Sequence, residues 1–386
     1  MGQDAVQEVT GQGAAPRPAA GQADAVAAKL LGDLNDQQRA AVSAPRGNLL
    51  IIAGAGTGKT TVLTRRVGWL VEHEGVPTWK MLAITFTNRA AAQMSFRIAS
   101  LGLPGGPDYS RMWIGTFHAV CMRLLHIYCA EAGLTENFTV LDTEARRQVV
   151  KRLLVELDIP HTNGLLRDYL SGIGRLKEMG LRAGSCTEEH YSNLGFSAQM
   201  RFDEVYSSYE LTCLRENLVD FDEMLLRSCE LLERYPEVRT HLHWRFAEIL
   251  ADEFQDTSAL QYRFVRLLAG PDSHTLIVGD DDQSIYSWRG SDFHNMERFR
   301  RDFPGVQEFH LEQNYRSGQI ILDLANLLIR QSPARLSDKQ LQGKRGPGAQ
   351  VHVTKCRDPS YEAAYIVQQM RTRHQAGVSY GQMAVL

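Results

Sequence analysis

The run Ala53-Gly-Ala-Gly-Thr-Gly-Lys-Thr60 decides the fold, because it follows the apolar stretch Asn48-Leu-Leu-Ile-Ile-Ala53 and opens a helix. A Gly-rich turn between a buried strand and a helix is the setting that the phosphate-binding P-loop pattern requires. Gly54, Gly56 and Gly58 let backbone N–H groups curl around phosphate oxygens, and the helix N-terminus favours negative charge. Lys59 is expected to reach the β- and γ-phosphates, and Thr60 to bind Mg²⁺. The stretch Ala53, Gly54, Ala55, Gly56, Thr57, Gly58, Lys59, Thr60 and Thr61 is thus the candidate cradle for a phosphate-bearing cofactor. Ala53 stands where the pattern has its first Gly, so a plain Gly-rich strand-to-helix turn is the bland alternative.

A P-loop needs an acidic site at the end of a neighbouring strand, and Ile249-Leu-Ala-Asp252-Glu253 supplies an apolar run ending in two carboxylates. Asp252 is expected to hold Mg²⁺, directly or through water, and Glu253 to orient and deprotonate the attacking water. By itself the pair would read as a solvated turn. Further short apolar runs at 81–86, 111–117 and 275–279 end in small or polar residues, as buried parallel strands do. Helical segments such as 88–99 lie between them, and strand then helix repeated predicts a doubly wound α/β sheet with its chemistry at the strand C-termini.

Residues 119–219 break this pattern: Val149, Val150, Leu153, Leu154 and Leu157 recur at helical spacing, which predicts a helical insertion. After Pro304 the pattern predicts a strand (308–312), a helix (318–331) and a basic loop with Arg335, Lys339, Lys344 and Arg345. A strand (349–356), a helix (359–374) and the beginning of another strand at Met383-Ala-Val-Leu386 follow. Residues 1 to about 28, rich in Ala, Gly and Gln with Arg17 amid a few acids, predict a disordered tail and no transit peptide.

The length, 386 residues, allows two or three domains. No run approaches the ~20 consecutive apolar residues that cross a bilayer, so a soluble globular protein with no membrane partner is expected. Forty-two Lys and Arg against 45 Asp and Glu give a net charge of −3, which excludes a polybasic binder. A nucleic-acid partner must therefore be found by its site. Cys121, Cys129, Cys186, Cys213, Cys229 and Cys356 are scattered without C-x-x-C spacing, which predicts a reducing compartment and no structural metal.

With Asp252-Glu-Phe-Gln-Asp-Thr257 beside the P-loop, the chain resembles the UvrD/Rep/PcrA family of superfamily 1A DNA helicases. Leu34-Asn-Asp-Gln-Gln38 resembles its adenine-reading Q motif, Thr85-Phe-Thr-Asn-Arg-Ala-Ala91 its motif Ia and Gly115-Thr-Phe-His118 its motif Ib. Val278-Gly-Asp-Asp-Asp-Gln-Ser-Ile-Tyr-Ser-Trp-Arg-Gly290 resembles motif III, and Leu311-Glu-Gln-Asn-Tyr-Arg-Ser317 motif IV, all in the family's order over about residues 30–386.

The resemblance implies that Gln38 contacts adenine, Tyr315 stacks on the base, Gln283 senses the γ-phosphate and Arg316 stabilises transition-state charge. Together with Glu253 and Lys59 these last two form the expected catalytic set. It also places Phe86, Asn88, Tyr286, Trp288 and Arg289 along a single-stranded DNA path, where aromatic faces stack on bases at roughly 1–3 kcal/mol each. His118 touches the DNA backbone or is an ordinary hydrogen-bonded histidine. The competing readings are that Gln38 caps a helix, Arg316 pairs with an acid, and Tyr315, Phe86 and Trp288 pack in the core. Gln283 lies three residues before Tyr286, so hydrolysis could shift stacked bases.

The implied architecture is a RecA-like parallel α/β motor domain (29–118 and 220–307), a helical insertion (119–219) and the start of a second RecA-like domain (308–386). The implied cofactors are ATP and Mg²⁺, and the implied partners are single-stranded DNA and its junctions with duplex, in the cytoplasm of a bacterium at the nucleoid. Two features depart from the family. Thr61 stands where an Arg commonly helps to hold the nucleotide, and Ser287 replaces a Gly in motif III. The chain also stops before the later motifs, as a truncated gene product, an incomplete sequence or a deliberately shortened piece would. Two functional expectations result: the N-terminal motor half of a 3′ to 5′ DNA helicase, or an ATP-gated single-stranded DNA-binding fragment without turnover. A helicase–nuclease lacks a recognisable nuclease cluster, and a metabolic kinase would not explain Tyr286-Ser-Trp-Arg289 beside the phosphate sensor.

Overall fold

The computed structural model describes residues 20–103, 107–192, 194, 201–286, 290–331, 335 and 337–386. Its centre is a six-stranded, all-parallel sheet in the order β3-β2-β6-β7-β1-β8. The strands are β1 (Leu49–Ala53), β2 (Met81–Thr85), β3 (Trp113–Thr116), β6 (Glu248–Ala251), β7 (His274–Gly279) and β8 (Gln307–Leu311). β4 (Thr139–Val140) and β5 (Leu218–Val219) form a separate parallel pair, as do β9 (Gln313–Asn314) and β10 (Gln342–Gly343).

The inner strands β1 and β2 are buried along their whole length and mainly apolar because helices cover both faces, whereas the edge strand β8 carries Gln307, Glu308 and His310. Leu50, Ile52, Leu82, Ile84, Ile249 and Ile277 enter one core, while Leu49, Ile51, Met81, Ala83, Leu250 and Val278 enter the other. In chain order the helices are α1 (Ala20–Leu31), α2 (Asp36–Ser43), α3 (Lys59–Glu72), α4 (Asn88–Ala99) and α5 (Phe117–Ile127). Then come α6 (Thr143–Glu156), α7 (Asn163–Glu178), α8 (Glu188–Ser192), α9 (Phe202–Arg215), α10 (Phe221–Arg234) and α11 (Pro236–Arg245). The last are α12 (Ala259–Leu268), α13 (Asn295–Asp302), α14 (Gln319–Ile329) and α15 (Pro359–Gln375). A third core, with Val150, Leu154, Tyr169, Ile173 and Tyr206, is built by the predicted helical insertion.

Four expectations are corrected. Residues 20–28 of the expected disordered tail are helical: α1 buries Val26 and Leu30 against the sheet-covering core because its apolar stripe finds a partner there. Residues 1–19 lie outside the described residues. The strand expected to open a second domain instead completes the first sheet, since β8 satisfies the free backbone edge of the fully buried β1. The insertion begins later than residue 119, because α5 packs Val120, Cys121, Leu124 and Leu125 into the sheet core, and the third core starts at Leu141. The segments 349–356 and 383–386 are not strands. No described strand pairs with them, and Val353 is 89% exposed.

Parallel strands align their C-terminal ends on one edge of a sheet. The P-loop leaves β1 there, Phe86 leaves β2, Phe117 and His118 leave β3, Asp252 and Glu253 leave β6, Asp280 leaves β7 and Glu312 leaves β8. Chain segments far apart in sequence thus meet at one rim, the place where open α/β sheets bind ligands.

Candidate active site

The P-loop turns sharply because Gly56 and Gly58 take left-handed backbone angles, φ +68° and +91°. Its carbonyls are held from outside the curl. Thr57 Oγ1 donates to Gly54 O at 2.8 Å, Asn314 Nδ2 to Ala55 O at 2.5 Å, the Tyr315 N–H to Gly56 O at 2.9 Å and Gln38 Nε2 to Thr57 O at 2.8 Å. The N–H groups of Ala55, Gly56 and Gly58 find no acceptor among the described residues, so the loop keeps donors for an anion at the mouth of α3.

Lys59 Nζ lies 2.7 Å from Glu253 Oε2, an ion pair that joins the P-loop to the end of β6. Glu253 itself adopts φ +50°, a strained position for a side-chain-bearing residue and one characteristic of functional turns. Burial pushes its carboxyl upward, but the Lys59 charge, hydrogen bonds from Gln255 and Lys59, and the Arg316 charge outweigh that and hold it below the usual range. It is therefore an ionised acceptor at neutral pH. Asp252 is buried, and burial together with Glu253 pushes its carboxyl up to about 6 against the opposing Lys59. A cation beside Asp252 would offset this burial and the Glu253 charge.

Gln38 closes a capping box on α2, its Oε1 accepting from Asn35 N at 3.2 Å while its amide holds Thr57. The capping alternative is thus realised, at the wall of the P-loop. Tyr315 is 41% exposed and its hydroxyl donates to Gln313 Oε1 and accepts from Asn35 Nδ2, both at 2.7 Å, so its ring is outside the core. Arg316 is exposed and its charge reaches Glu253. Thr60 and Thr61 occupy the first turn of α3. Gln283 donates from Nε2 to Asp280 Oδ2.

Phe86 and Tyr286 stack with ring centroids 5.5 Å apart and planes at 25°, which brings the ends of β2 and motif III together. Asn88 is exposed at the start of α4. His118 packs edge-on against Phe221 at 5.8 Å, and burial lowers its pKa against the opposing Asp222 charge. Trp288 and Arg289 lie outside the described residues.

Two residues of this site were missed by reasoning from sequence. Gln255, in a 3₁₀ turn after Glu253, donates to Glu253 Oε2 at 3.0 Å and accepts from the Asp280 N–H at 3.0 Å, so it bridges the β6 and β7 ends. Asn314 is 1% exposed and also accepts from the N–H groups of Arg316 and Ser317, each at 2.8 Å. Both sit inside motifs quoted from the sequence, and the available signal was an amide side chain within two residues of a proposed charged site residue, Gln255 after Glu253 and Asn314 before Arg316.

Comparison with known proteins places this rim in a family. The model of the UvrD/REP helicase N-terminal domain matches residues 34–304, and that of the UvrD-like helicase C-terminal domain matches residues 309–386. DNA helicase II of Salmonella typhimurium is 42% identical over 357 residues, which is 92% of this chain and 48% of that protein. DNA helicase II of Escherichia coli is 41% identical over 357 residues with the same coverage. The ATP-dependent DNA helicase PcrA of Leuconostoc citreum is 38% identical over 363 residues, 92% of this chain and 47% of that protein. The chain spans about half the length of the curated relatives it matches. On the family models and these identities, the chain belongs to the UvrD/REP helicase family.

Proposed function

We propose that the chain is the N-terminal motor portion of an ATP-dependent DNA helicase that moves 3′ to 5′ on single-stranded DNA and opens duplex at junctions, in bacterial DNA repair or replication. The observation that carries this reading is the gathering, on one sheet rim, of the Lys59–Glu253 ion pair and the Phe86–Tyr286 stack, with Gln283 three residues from Tyr286. A nucleotide group and a base-stacking group share one support. The domain division expected from the sequence, with the boundaries moved as the cores require, goes with this proposal.

In the proposed reaction the P-loop N–H groups and Lys59 hold the β- and γ-phosphates, with Tyr315 stacked on adenine and Gln38 at its polar edge. Glu253 takes a proton from the water that attacks the γ-phosphorus, the bond to the β-phosphate oxygen breaks, and ADP leaves. Arg316 and Gln283 meet the charge that develops on the transferred group. The Thr60 hydroxyl and the buried, charge-strained Asp252 are hard oxygen donors that suit Mg²⁺, which when bound would neutralise phosphate charge. Phe86, Tyr286, Trp288 and Arg289, together with Asn88 and His118, hold the strand without reading its sequence.

A second reading, nucleotide-gated DNA binding without turnover, is favoured by one feature: beyond Leu322 no described apolar side chain is buried, so a second wall for the site is thinly built. Steady-state ATPase of the chain with and without oligo-dT, with Lys59→Ala as blank, separates the two. DNA-stimulated turnover abolished by Lys59→Ala supports the motor. Binding of both ligands with no turnover supports the gate, and binding of neither defeats both.

A further inference from the structure

Lys339 follows α14 in the loop that the sequence marks only as basic, yet its side chain is 2% exposed. Its ammonium lies 2.7 Å from Asp280 Oδ1 and 2.9 Å from Asp282 Oδ2, and it also pairs with Asp281. The three carboxylates stand within 4.8 Å of one another, a spacing that would suit a metal ion, and Lys339 is the cation between them. Arg335 supports it, with Nε 3.3 Å from Asp282 Oδ1 and Nη2 donating to Lys339 O at 2.6 Å. Burial pushes the Lys339 pKa down, and Asp280 and Asp281 outweigh it, so the ammonium stays charged.

Asp280 is a branch point. One carboxylate oxygen takes Lys339 and the other takes Gln283, while its N–H donates to Gln255 Oε1, whose amide donates to the same Glu253 oxygen that pairs with Lys59. A continuous series of contacts therefore runs from a residue beyond α14 to the proposed base.

We propose that Lys339 is a positioning residue for ATP hydrolysis: by neutralising the Asp280–Asp282 triad it holds Asp280 where Gln255 and Gln283 keep Glu253 and the γ-phosphate sensor in place. This rests on the nucleotide reading above. Without Lys339, three adjacent carboxylates, of which Asp280 and Asp281 are buried, repel one another and motif III must rearrange. The docking of Arg335 and of the segment 337–341 thereby sets the state of the hydrolytic groups, and whatever moves α14 acts on them through one lysine.

The test is hydrogen exchange of the full chain, read at 252–256 and 280–286, with 49–53 as control. Lys339→Ala is expected to speed exchange about tenfold or more in both test segments and to leave 49–53 unchanged, with propylammonium chloride restoring slow exchange. In a Gln255→Ala background, Lys339→Ala should still act on 280–286 but no longer on 252–256. Where the chain turns over ATP, kcat falls at least tenfold while KM for ATP stays within twofold. No change at 252–256, or the same change with and without Gln255, overturns the proposal. Should Lys339→Ala also loosen 49–53, Arg335→Ala, which weakens the hold without baring the triad, is judged by the same outcomes. Loss of fluorescent-ATP binding in Lys59→Ala tests the nucleotide reading separately, because the exchange result does not depend on it.

Discussion

At the scale of the residue, Gly56 is constrained both by its backbone angle and by its neighbours. Its φ is +68°, and a Cβ there would lie 2.6 Å from Arg316 Cβ and 2.8 Å from Asn314 Nδ2. Gly56→Ala is therefore expected to push Asn314 off Ala55 O and to weaken fluorescent-ATP binding at least tenfold. Gly75 is the internal control, with φ +69° and nothing within 4 Å of an added Cβ. Gly75→Ala should cost only the backbone strain, roughly 1 kcal/mol, with nucleotide affinity unchanged. Asn314→Ala removes the clamp without the strain. It should lower stability by about 1–3 kcal/mol, the cost of leaving buried polar groups unsatisfied, as read from urea midpoints. Equal nucleotide affinity in all three variants would mean that the clamp does not shape the loop.

At the scale of elements, α7, α9 and α10 are joined by a buried charge cluster. Lys177 Nζ lies 2.9 Å from Asp220 and 3.0 Å from Glu223, while Arg182 reaches Glu223 and Glu230, each at 2.7 Å. Burial would raise both carboxyls at 220 and 223, but Lys177 together with Arg146 or Arg182 outweighs it, and both are held below the usual range. A carboxylate with a depressed folded pKa contributes stability above its unfolded value, near pH 4, and loses it as pH falls further. The chain should thus lose stability steeply below about pH 4. Lys177→Met leaves two buried carboxylates short of a partner and should cost about 3–5 kcal/mol at pH 7. That cost should shrink toward pH 4 as the bared groups take up protons, which urea melts between pH 4 and 8 would reveal. A cost that does not vary with pH would point to lost packing instead.

At the scale of the whole molecule, order is unevenly distributed. The sheet and its two cores hold the rim rigid, whereas α15 buries no side chain and α14 buries only Leu322, leaving Leu328 71% exposed. Regions with few buried apolar contacts open first. Limited trypsin digestion is expected to cut first among Lys344, Arg345, Lys355, Arg357, Arg371 and Arg373, and to leave a resistant body that ends near residue 343 and retains Lys339. Mass spectrometry identifies the cuts. Early cleavage inside 248–311 would contradict this distribution of stability.

Local features were legible in the sequence. The five-residue apolar runs, the glycines of the P-loop and the carboxylates after β6 could be placed because run length, turn chemistry and strand ends are written within a few neighbouring residues. The partners across the rim were not legible. Asn314 and Ala55 are 259 residues apart and Lys339 and Asp281 are 58 apart, and no periodicity encodes such pairings. The same holds for β8 beside β1 and for the Phe86–Tyr286 stack. Most of the elements and the chemistry at their ends were written locally, although the helix α1 and the non-strand segments 349–356 and 383–386 were not. Only the tertiary structure decided which ends meet, because strand order depends on which exposed backbone edges and apolar faces find each other once the chain has collapsed.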